Sequence, residues 1–414
     1  MEKYDIIVVG GGASGLMAAG TAANKGAKVL LLEKMFRPGR KLRITGKGRC
    51  NLTNLTTVED FLTHVNEPEF VRPAFENFFA QDLIDFFQSI NIKTKTERGR
   101  RVFPQSDKAQ EIVDGLHQWV KKSGVTLKTD VRVNKLFTKE GSVSGVRLNN
   151  GKMFFASKVI LCLGGASYPK TGSTGDGYKL AEMAGHTVTV IRPALVPIAI
   201  KGQIPESMDR LSLKNIKINV YRKNKLVGEK FGEMQFFGNS ISGPIVLSLS
   251  REYGTDLEEK VPMDFAIDLK PALSELKLAN RFQREIENQR SLTLKGLLRK
   301  LLPSQMIDYF IKLLKIDPEE LAFKLSEQQI KRIISLLKNF KFELRRLHDF
   351  DEAIVTAGGV SIDEVDSKSM ESKKLKNLYF AGELLDLDAD TGGYNLQIAF
   401  STGRLAALSA IKKN

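Results

Sequence analysis

The chain is short of several things, and each shortage closes off a class of function. Only two of its 414 residues are cysteine, Cys50 and Cys162. That is too few for a disulfide framework, so a reducing, cytoplasmic compartment is the expectation. The four histidines, His64, His117, His186 and His348, are scattered without the spacing of a zinc or iron site. No Ser-His-Asp order or nucleophile elbow is present to suggest acyl transfer. Long apolar runs are missing too. The most apolar stretch, residues 6–23, is broken by three consecutive glycines and follows Glu2-Lys3-Tyr4-Asp5, which is not the basic flank of a signal peptide. No other stretch is long and apolar enough to span a bilayer, so a soluble protein with no membrane partner is expected. Repeats and low-complexity tracts are absent, and nothing in the sequence fixes an oligomeric state.

Acids are scarce as well, and one gap is pronounced. None occurs between Glu33 and Glu59, whereas Arg37, Arg40, Lys41, Arg43, Lys47 and Arg49 all fall there, around Cys50. Over the whole chain, 63 Lys and Arg face 48 Asp and Glu, a formal charge of +15. An excess of this size concentrates polyanions such as nucleic acid or nucleotide cofactors. A single dinucleotide needs only two or three cations, so either a polyanionic partner or a merely soluble basic surface must account for the rest.

What is present begins with a βαβ pattern. Residues 4–9 form a short β-branched apolar run, read as a buried parallel strand. Gly10, Gly12 and Gly15 then make a G-x-G-x-x-G, a helix over 16–25 follows, and a second strand over 28–32 ends at Glu33. In this context the first glycine makes the turn, the second admits a pyrophosphate, and the third lets helix and strand pack closely. The amides of Ala13 and Ser14 open a helix whose positive end faces the phosphates. Glu33 is placed to accept from ribose hydroxyls, and its carboxylate disfavours a 2′-phosphate. There is no second fingerprint for a dedicated nicotinamide domain. The carboxyl end instead offers a strand running into Gly382 and Glu383, then Asp390, Gly392, Gly393, Tyr394 and Asn395, with a helix from about Leu396. Such an arrangement can hold ribityl hydroxyls and the pyrimidine edge of a flavin, which favours FAD over NAD.

The fold class expected is α/β, a split Rossmann-like FAD-binding domain carrying an inserted antiparallel β-barrel-like subdomain and a helical subdomain. The expected limits are 1–191 with 351–414 for the FAD domain, 192–273 with 339–350 for the β subdomain, and 274–338 for the helices. Within them, amphipathic helices are predicted over 70–90 and 108–122. Strands are predicted over 129–137, 142–148, 152–156 and 159–163, with a hairpin turn at Asn150-Gly151. Alternation at Ile216, Ile218 and Val220, at Val261 to Leu269, and at Phe340, Phe342 and Leu344 reads as half-exposed antiparallel strands. Capping boxes are predicted at residues 317–320 and 326–329.

Several blocks then resemble a known family. "GGGASGLMAA", "GRKLRITGKGRCNLTN", "RGRRVFPQSDKA", "LGGASYPKTGSTGDGY", "SISGP", "VTAGGVS" and the long block from "SKKLKNLYFAGELL" to "GGYNLQIAFSTG" are similar to the bacterial NAD(P)/FAD-dependent oxidoreductases of the two-dinucleotide-binding flavoprotein group. The resemblance implies FAD as cofactor, NAD(P)H as a transient electron donor, and the split, twice-interrupted domain. It also adds Lys34, Arg40, Lys41, Gly46, Gly48, Arg49, Cys50, Asn51, Val131, Gly164 and Gly165 to the expected cofactor contacts. Related sequences are linked to oxidation of a small amine, reduction of a bile-acid steroid, and reduction of a ribosomal RNA uridine to dihydrouridine. The last also accounts for the +15, by making ribosomal RNA or its precursor the partner. A small-molecule substrate and a flavin-containing RNA assembly factor are the alternatives. One block departs from the family pattern "LFTHxGxSGP", because Phe237 and Gly238 occupy its threonine and histidine positions.

Uridine reduction needs an acid. Cys50 is the leading candidate by analogy with unrelated enzymes making the same product, and nearby cations should depress its pKa. Its alternative is a small packing residue in a cofactor loop. Cys162 reads as core. Tyr168 and Tyr394 are weaker candidates for that acid and read more naturally as aromatic walls of the flavin pocket.

Overall fold

The apolar amino-terminal run becomes β1 (Lys3–Val9), the centre of a seven-stranded sheet, in a computed structural model that describes residues 3–412. The described chain divides into two compact units. One runs to Ala194 and resumes at Asp349; the other is Leu195–His348.

In the first unit, α1 (Ala13–Asn24) returns the chain to β2 (Val29–Leu32), parallel to β1. Beyond β2 lies β3 (Thr126–Lys128). A three-stranded antiparallel flap, β4 (Val133–Lys139), β5 (Ser142–Leu148) and β6 (Met153–Leu161), continues the sheet on the other side. The strand predicted over 129–137 begins only at Val133. Residues 129–132 separate it from β3, where Asp130 takes φ 55° and Val131 donates its N–H to the Glu33 carbonyl. Conversely, the two strands predicted over 152–156 and 159–163 are one. The first half of β6 pairs antiparallel to β5, and its second half pairs parallel to Leu378–Phe380. It lies parallel to β1 along its length. A period-2 pattern cannot reveal such a change of neighbour, since the side chains alternate in the same way throughout. The helical stretch predicted over 70–90 breaks into Pro68–Asn77 and Ala80–Ser89, whereas Ala109–Lys122 is a single helix. The last helix, Tyr394–Ile411, lies flat on α1, and Gly403 makes this possible because a Cβ there would sit 2.4 Å from the Ser14 carbonyl oxygen.

The second unit is a closed six-stranded barrel with helices. Its strands are β7 (Ile198–Ile200), β8 (Ser212–Arg222), β9 (Lys225–Phe237), β10 (Ser240–Ser242), β11 (Met263–Asp268) and β12 (Phe340–Leu347). The order around the barrel is β7-β10-β9-β8-β11-β12, with β12 back on β7. Ile218, Val220, Phe236, Phe265 and Ile267 are buried in it. The helices expected as a separate subdomain belong to this unit. Lys338, at the end of helix Glu327–Lys338, sets its Nζ 2.5 Å from Asp268 Oδ2 and donates to the Lys270 and Leu273 carbonyls. Phe310 packs its ring 5.1 Å from that of Phe340 on β12. Ser326 and Gln329 form the predicted capping box. Asp317 does not begin a helix; its side chain accepts from Glu319 N in a turn. Among the described residues no helix is long and apolar enough to cross a membrane.

Candidate cofactor and active site

The turn from β1 into α1 is set by close packing of backbone on backbone. Gly10 takes φ 103° and donates its N–H to the Leu32 carbonyl at 2.8 Å. A Cβ on Gly15 would fall 1.8 Å from the Gly10 carbonyl oxygen, so only glycine fits there. At Gly12, the N-cap of α1, an added Cβ would meet nothing within 4 Å, and no side chain caps the first turn. The first amides of α1, at Ala13 and Ser14, therefore have open space before them, as a pyrophosphate requires.

Glu33 stands at the end of β2 beside this turn. Its Oε2 accepts from Gly11 N at 2.6 Å and its Oε1 from Met35 N at 2.8 Å. Burial raises its pKa, while these N–H donors pull the other way. A narrow cavity here is lined by Gly10, Glu33, Lys34, Val131, Arg132 and Asp176, among others. Lys34 Nζ lies 2.9 Å from Asp176 Oδ2 and Arg132 lies 2.5 Å from its Oδ1. Burial alone would raise the Asp176 carboxyl, but the two cations outweigh it and hold the pKa below the ordinary value. Asp176 and Arg132 are missing from the sequence reading; "STGDGY" carried the aspartate without signalling its partners.

A second polar knot ties four distant segments of the same unit together. Lys41 Nζ donates to Ser167 Oγ at 2.5 Å and lies 2.7 Å from Glu383 Oε2. Glu383 Oε1 also accepts from Ser167 Oγ and from Thr356 N. Thr356 Oγ1 in turn accepts from the amides of Ala166 and Ser167, just past Gly164 and Gly165. Three predicted positions, Lys41, Gly165 and Glu383, thus meet at one place; Ser167 and Thr356 had no sequence signal of their own.

The cationic loop comes out differently from the expectation. Arg49 forms ion pairs with Glu97 and Asp107 and stacks its guanidinium 4.2 Å over the Phe103 ring. Arg40 donates to the Lys170 carbonyl. Arg43, Gly46, Lys47 and Gly48 are exposed. Cys50 itself is fully buried in the hydrophobic core, with φ 61°. Burial pushes its thiol up to about 12, and the hydrogen bond with Thr45 opposes this only in part. The expected depression of its pKa is therefore corrected: the surrounding cations point to carboxylates, carbonyls and solvent, and burial dominates. Cys162 is likewise buried and pushed up to about 12.

Next to Cys50, two polar atoms have no protein partner although they are buried: Asn51 Oδ1 and Thr53 Oγ1. Gly393, with φ 101°, caps the last helix and lies so close to Thr53 that a Cβ would come within 2.5 Å of its backbone. Gly392 takes φ 138°, and no side chain caps the amides that open this helix at Tyr394, Asn395 and Leu396. Asn395 instead ties the turn together, accepting from Ala389 N and donating to the Ala389 and Asp390 carbonyls. The orphaned Asn51 and Thr53 atoms beside an uncapped helix end fit a ligand bearing both donors and acceptors, as the ribityl chain and pyrimidine ring of FAD do. Asp390 also brings in a residue the sequence reading set aside. His64 Nδ1 lies 3.0 Å from Asp390 Oδ2, and its ring stacks on Tyr394 at 4.4 Å. The two are 326 positions apart, so spacing alone could not have linked them. Burial pushes Tyr394 up to about 12. Tyr168 takes φ 52°, and burial together with Glu352 raises its pKa.

The model of the HI0933-like protein Rossmann domain matches residues 4–409. The chain belongs to this HI0933-like family. It is an FAD-dependent oxidoreductase, and the uncapped helix starts at Ala13 and Tyr394 fit such a cofactor. Two curated relatives align end to end. The 3-dehydro-bile acid delta(4,6)-reductase of Clostridium scindens is 33% identical over 98% of each chain. The ribosomal RNA dihydrouridine synthase of Escherichia coli is 30% identical over 99% of each. The 3-ketosteroid delta1-dehydrogenase of Sterolibacterium denitrificans, solved with 1,4-androstadiene-3,17-dione, superposes with a TM-score of 0.52 at 15% identity over the full length of both chains, a likeness of fold. In the second unit of this HI0933-like protein, Phe237 is half exposed and Gly238 has open space around it. His348 Nε2 sits 2.6 Å from Ser240 Oγ, two residues past Gly238.

Proposed function

We propose that this HI0933-like protein reduces a carbon–carbon double bond conjugated to a carbonyl, and that its substrate is a uridine in ribosomal RNA. The names of the two end-to-end relatives support the reaction class. The Δ4 bond of a 3-oxo steroid and the uracil double bond are both electron-poor enones; saturating either takes a hydride at the carbon β to the carbonyl and a proton at the α carbon. A conjugated Δ6 bond takes them one vinyl unit further on, at the δ and γ carbons. In uracil the β and α carbons are C6 and C5. Bound FAD, reduced by NAD(P)H, supplies the hydride. The observation that carries the choice of RNA is charge. Leu195–His348 holds 27 Lys and Arg against 19 Asp and Glu, so just over half of the +15 lies in well under half of the chain. This substrate places the protein in the cytoplasm.

The residues have distinct tasks in this reading. The amides of Ala13 and Ser14, behind Gly12, would bind the pyrophosphate, and the Glu33 carboxylate beside them would accept a ribose hydroxyl. Asn51 Oδ1, Thr53 Oγ1 and the amides at Tyr394 to Leu396 orient the ribityl and pyrimidine end. His64, oriented by Asp390 and stacked on Tyr394, stands at the candidate site and is a better-placed proton donor than Cys50, whose thiol is sealed from solvent.

Mapping dihydrouridine in ribosomal RNA from a deletion strain tests the proposal. A dihydrouridine that disappears on deletion and returns on complementation is the expected result, and an unchanged map overturns the RNA substrate. The higher identity to the bile-acid reductase favours a steroid enone as the second reading; anaerobic NADPH-driven consumption of such an enone by the purified protein tests it. A bound flavin that neither NADH nor NADPH reduces would point instead to an assembly factor.

A further inference from the structure

We infer that the solvent face of α2 (Glu275–Asn288), in the second unit, is a docking stripe for the sugar–phosphate backbone of RNA. The inference rests on the ribosomal RNA reading and names the surface that serves it.

This helix is sharply two-sided. Leu278, Phe282 and Ile286, four residues apart, are buried and fasten it to its own unit. On the opposite side, Lys277, Asn280, Arg281, Arg284 and Asn288 line a groove of about 890 Å3. These positions follow helical spacing over twelve residues, a stripe about 16 Å long. The only acid in the groove, Glu285, is held by Lys300 at 2.6 Å and touches Arg281 only at 3.9 Å. Lys277 and Arg284 have no carboxylate within 4 Å among the described residues, and Arg284 Nε reaches only the Asn280 carbonyl. The neighbouring Lys270 ammonium is held below its usual pKa by burial and then by Arg281, consistent with a positive local field.

Three cations interleaved with amide side chains suit RNA. The guanidinium and ammonium groups meet phosphates, and Asn280, Gln283 and Asn288 can donate to phosphate or sugar oxygens. A membrane surface is a poor match, because an interfacial helix inserts its apolar face and here that face is turned into the protein.

The test compares the purified holoprotein with the triple variant K277Q/R281Q/R284Q, using a fluorescently labelled, unstructured, uridine-containing RNA. Retention of the flavin spectrum and of its reduction by NAD(P)H controls for folding. About ten-fold weaker binding is expected, with the slope of log Kd against log salt reduced by about 2, since each phosphate contact on a single strand contributes roughly 0.7. Wild-type affinity and slope in the variant overturn the stripe. Equal competition by polyglutamate overturns the RNA assignment in favour of an acidic protein. The dihydrouridine map separates the two proposals. If deletion removes the modification and the triple variant restores it with unchanged RNA affinity, the stripe fails and the uridine reading stands. If deletion changes nothing while RNA binding still depends on the three cations, the substrate reading fails alone.

Discussion

Two runs of positive charge look alike in the sequence and part ways in the folded chain. In the loop around residues 37–49, Lys41 is tied to Glu383 and Ser167, Arg49 to Glu97 and Asp107, and Arg40 to a carbonyl. Along α2, Lys277 and Arg284 have no carboxylate within 4 Å among the described residues, Arg284 acts on Glu285 only at longer range, and Arg281 reaches Glu285 at 3.9 Å. Three of the six loop cations are thus tied into the protein around the candidate cofactor site, while Arg37, Arg43 and Lys47 stay exposed. Net charge in a window therefore says little about use. The distance to the nearest carboxylate does.

The largest effect expected from breaking this contrast is at Lys41. Lys41→Met leaves the half-buried Glu383 carboxylate with only its Ser167 and Thr356 donors and should cost about 2 kcal/mol in urea denaturation, with loss of bound flavin. Unchanged stability and full flavin content would show that the knot is not structural. Next is Arg49→Gln. Its guanidinium is the largest influence holding the Glu97 carboxyl below its ordinary pKa; for Asp107, Lys95 comes first and Arg49 second. Depressed carboxylates stabilise the fold above their unfolded pKa, and that stability is lost as pH falls through the folded value. Wild type should accordingly melt higher than the variant near neutrality, and the gap should close as pH drops below about 4. A gap that does not narrow as pH falls below the ordinary carboxylate range would contradict the pairing. Third, a Cys50 thiol pushed up to about 12 should resist alkylation by iodoacetamide at pH 8 in the native protein and react after unfolding, as read by mass spectrometry. Cys50→Ala should cost about 1 kcal/mol and leave turnover intact. Rapid native labelling would restore Cys50 as a chemical group. Smallest of all, the three α2 substitutions should each shift stability by no more than about 0.5 kcal/mol. A larger loss would make that face structural, like the loop.

His64 offers a sharper comparison within the candidate site. His64→Asn should preserve flavin binding and slow product formation, whereas Cys50→Ala should leave the rate where it is. An unchanged rate in His64→Asn would remove the histidine from consideration.

Much of the fold was legible because its signals are local. The βαβ unit, its glycine turn and three of the six barrel strands (β8, β11 and β12) follow from periodicity and from glycines for which the missing Cβ gives a reason, such as Gly15 against Gly10. The misreadings were of another kind. β6 exchanges one neighbour for another half-way along, the 129–132 break is made by a hydrogen bond to Glu33, and the Asp317 motif closes a turn rather than a helix. Each depends on a partner far away in the chain or on a competing local bond.

The sequence by itself determined that a dinucleotide fingerprint opens the chain, that a second glycine-rich helix start closes it, and that excess positive charge lies between and around them. These rest on backbone sterics and composition, which need no tertiary context. Only the tertiary structure decided which cations are already neutralised, that Cys50 is sealed and its thiol kept protonated, and that His64 meets Asp390. The physical reason is that pKa and ion pairing are set by burial and by distances of a few ångströms, and residues 326 positions apart acquire such a distance only when the chain folds.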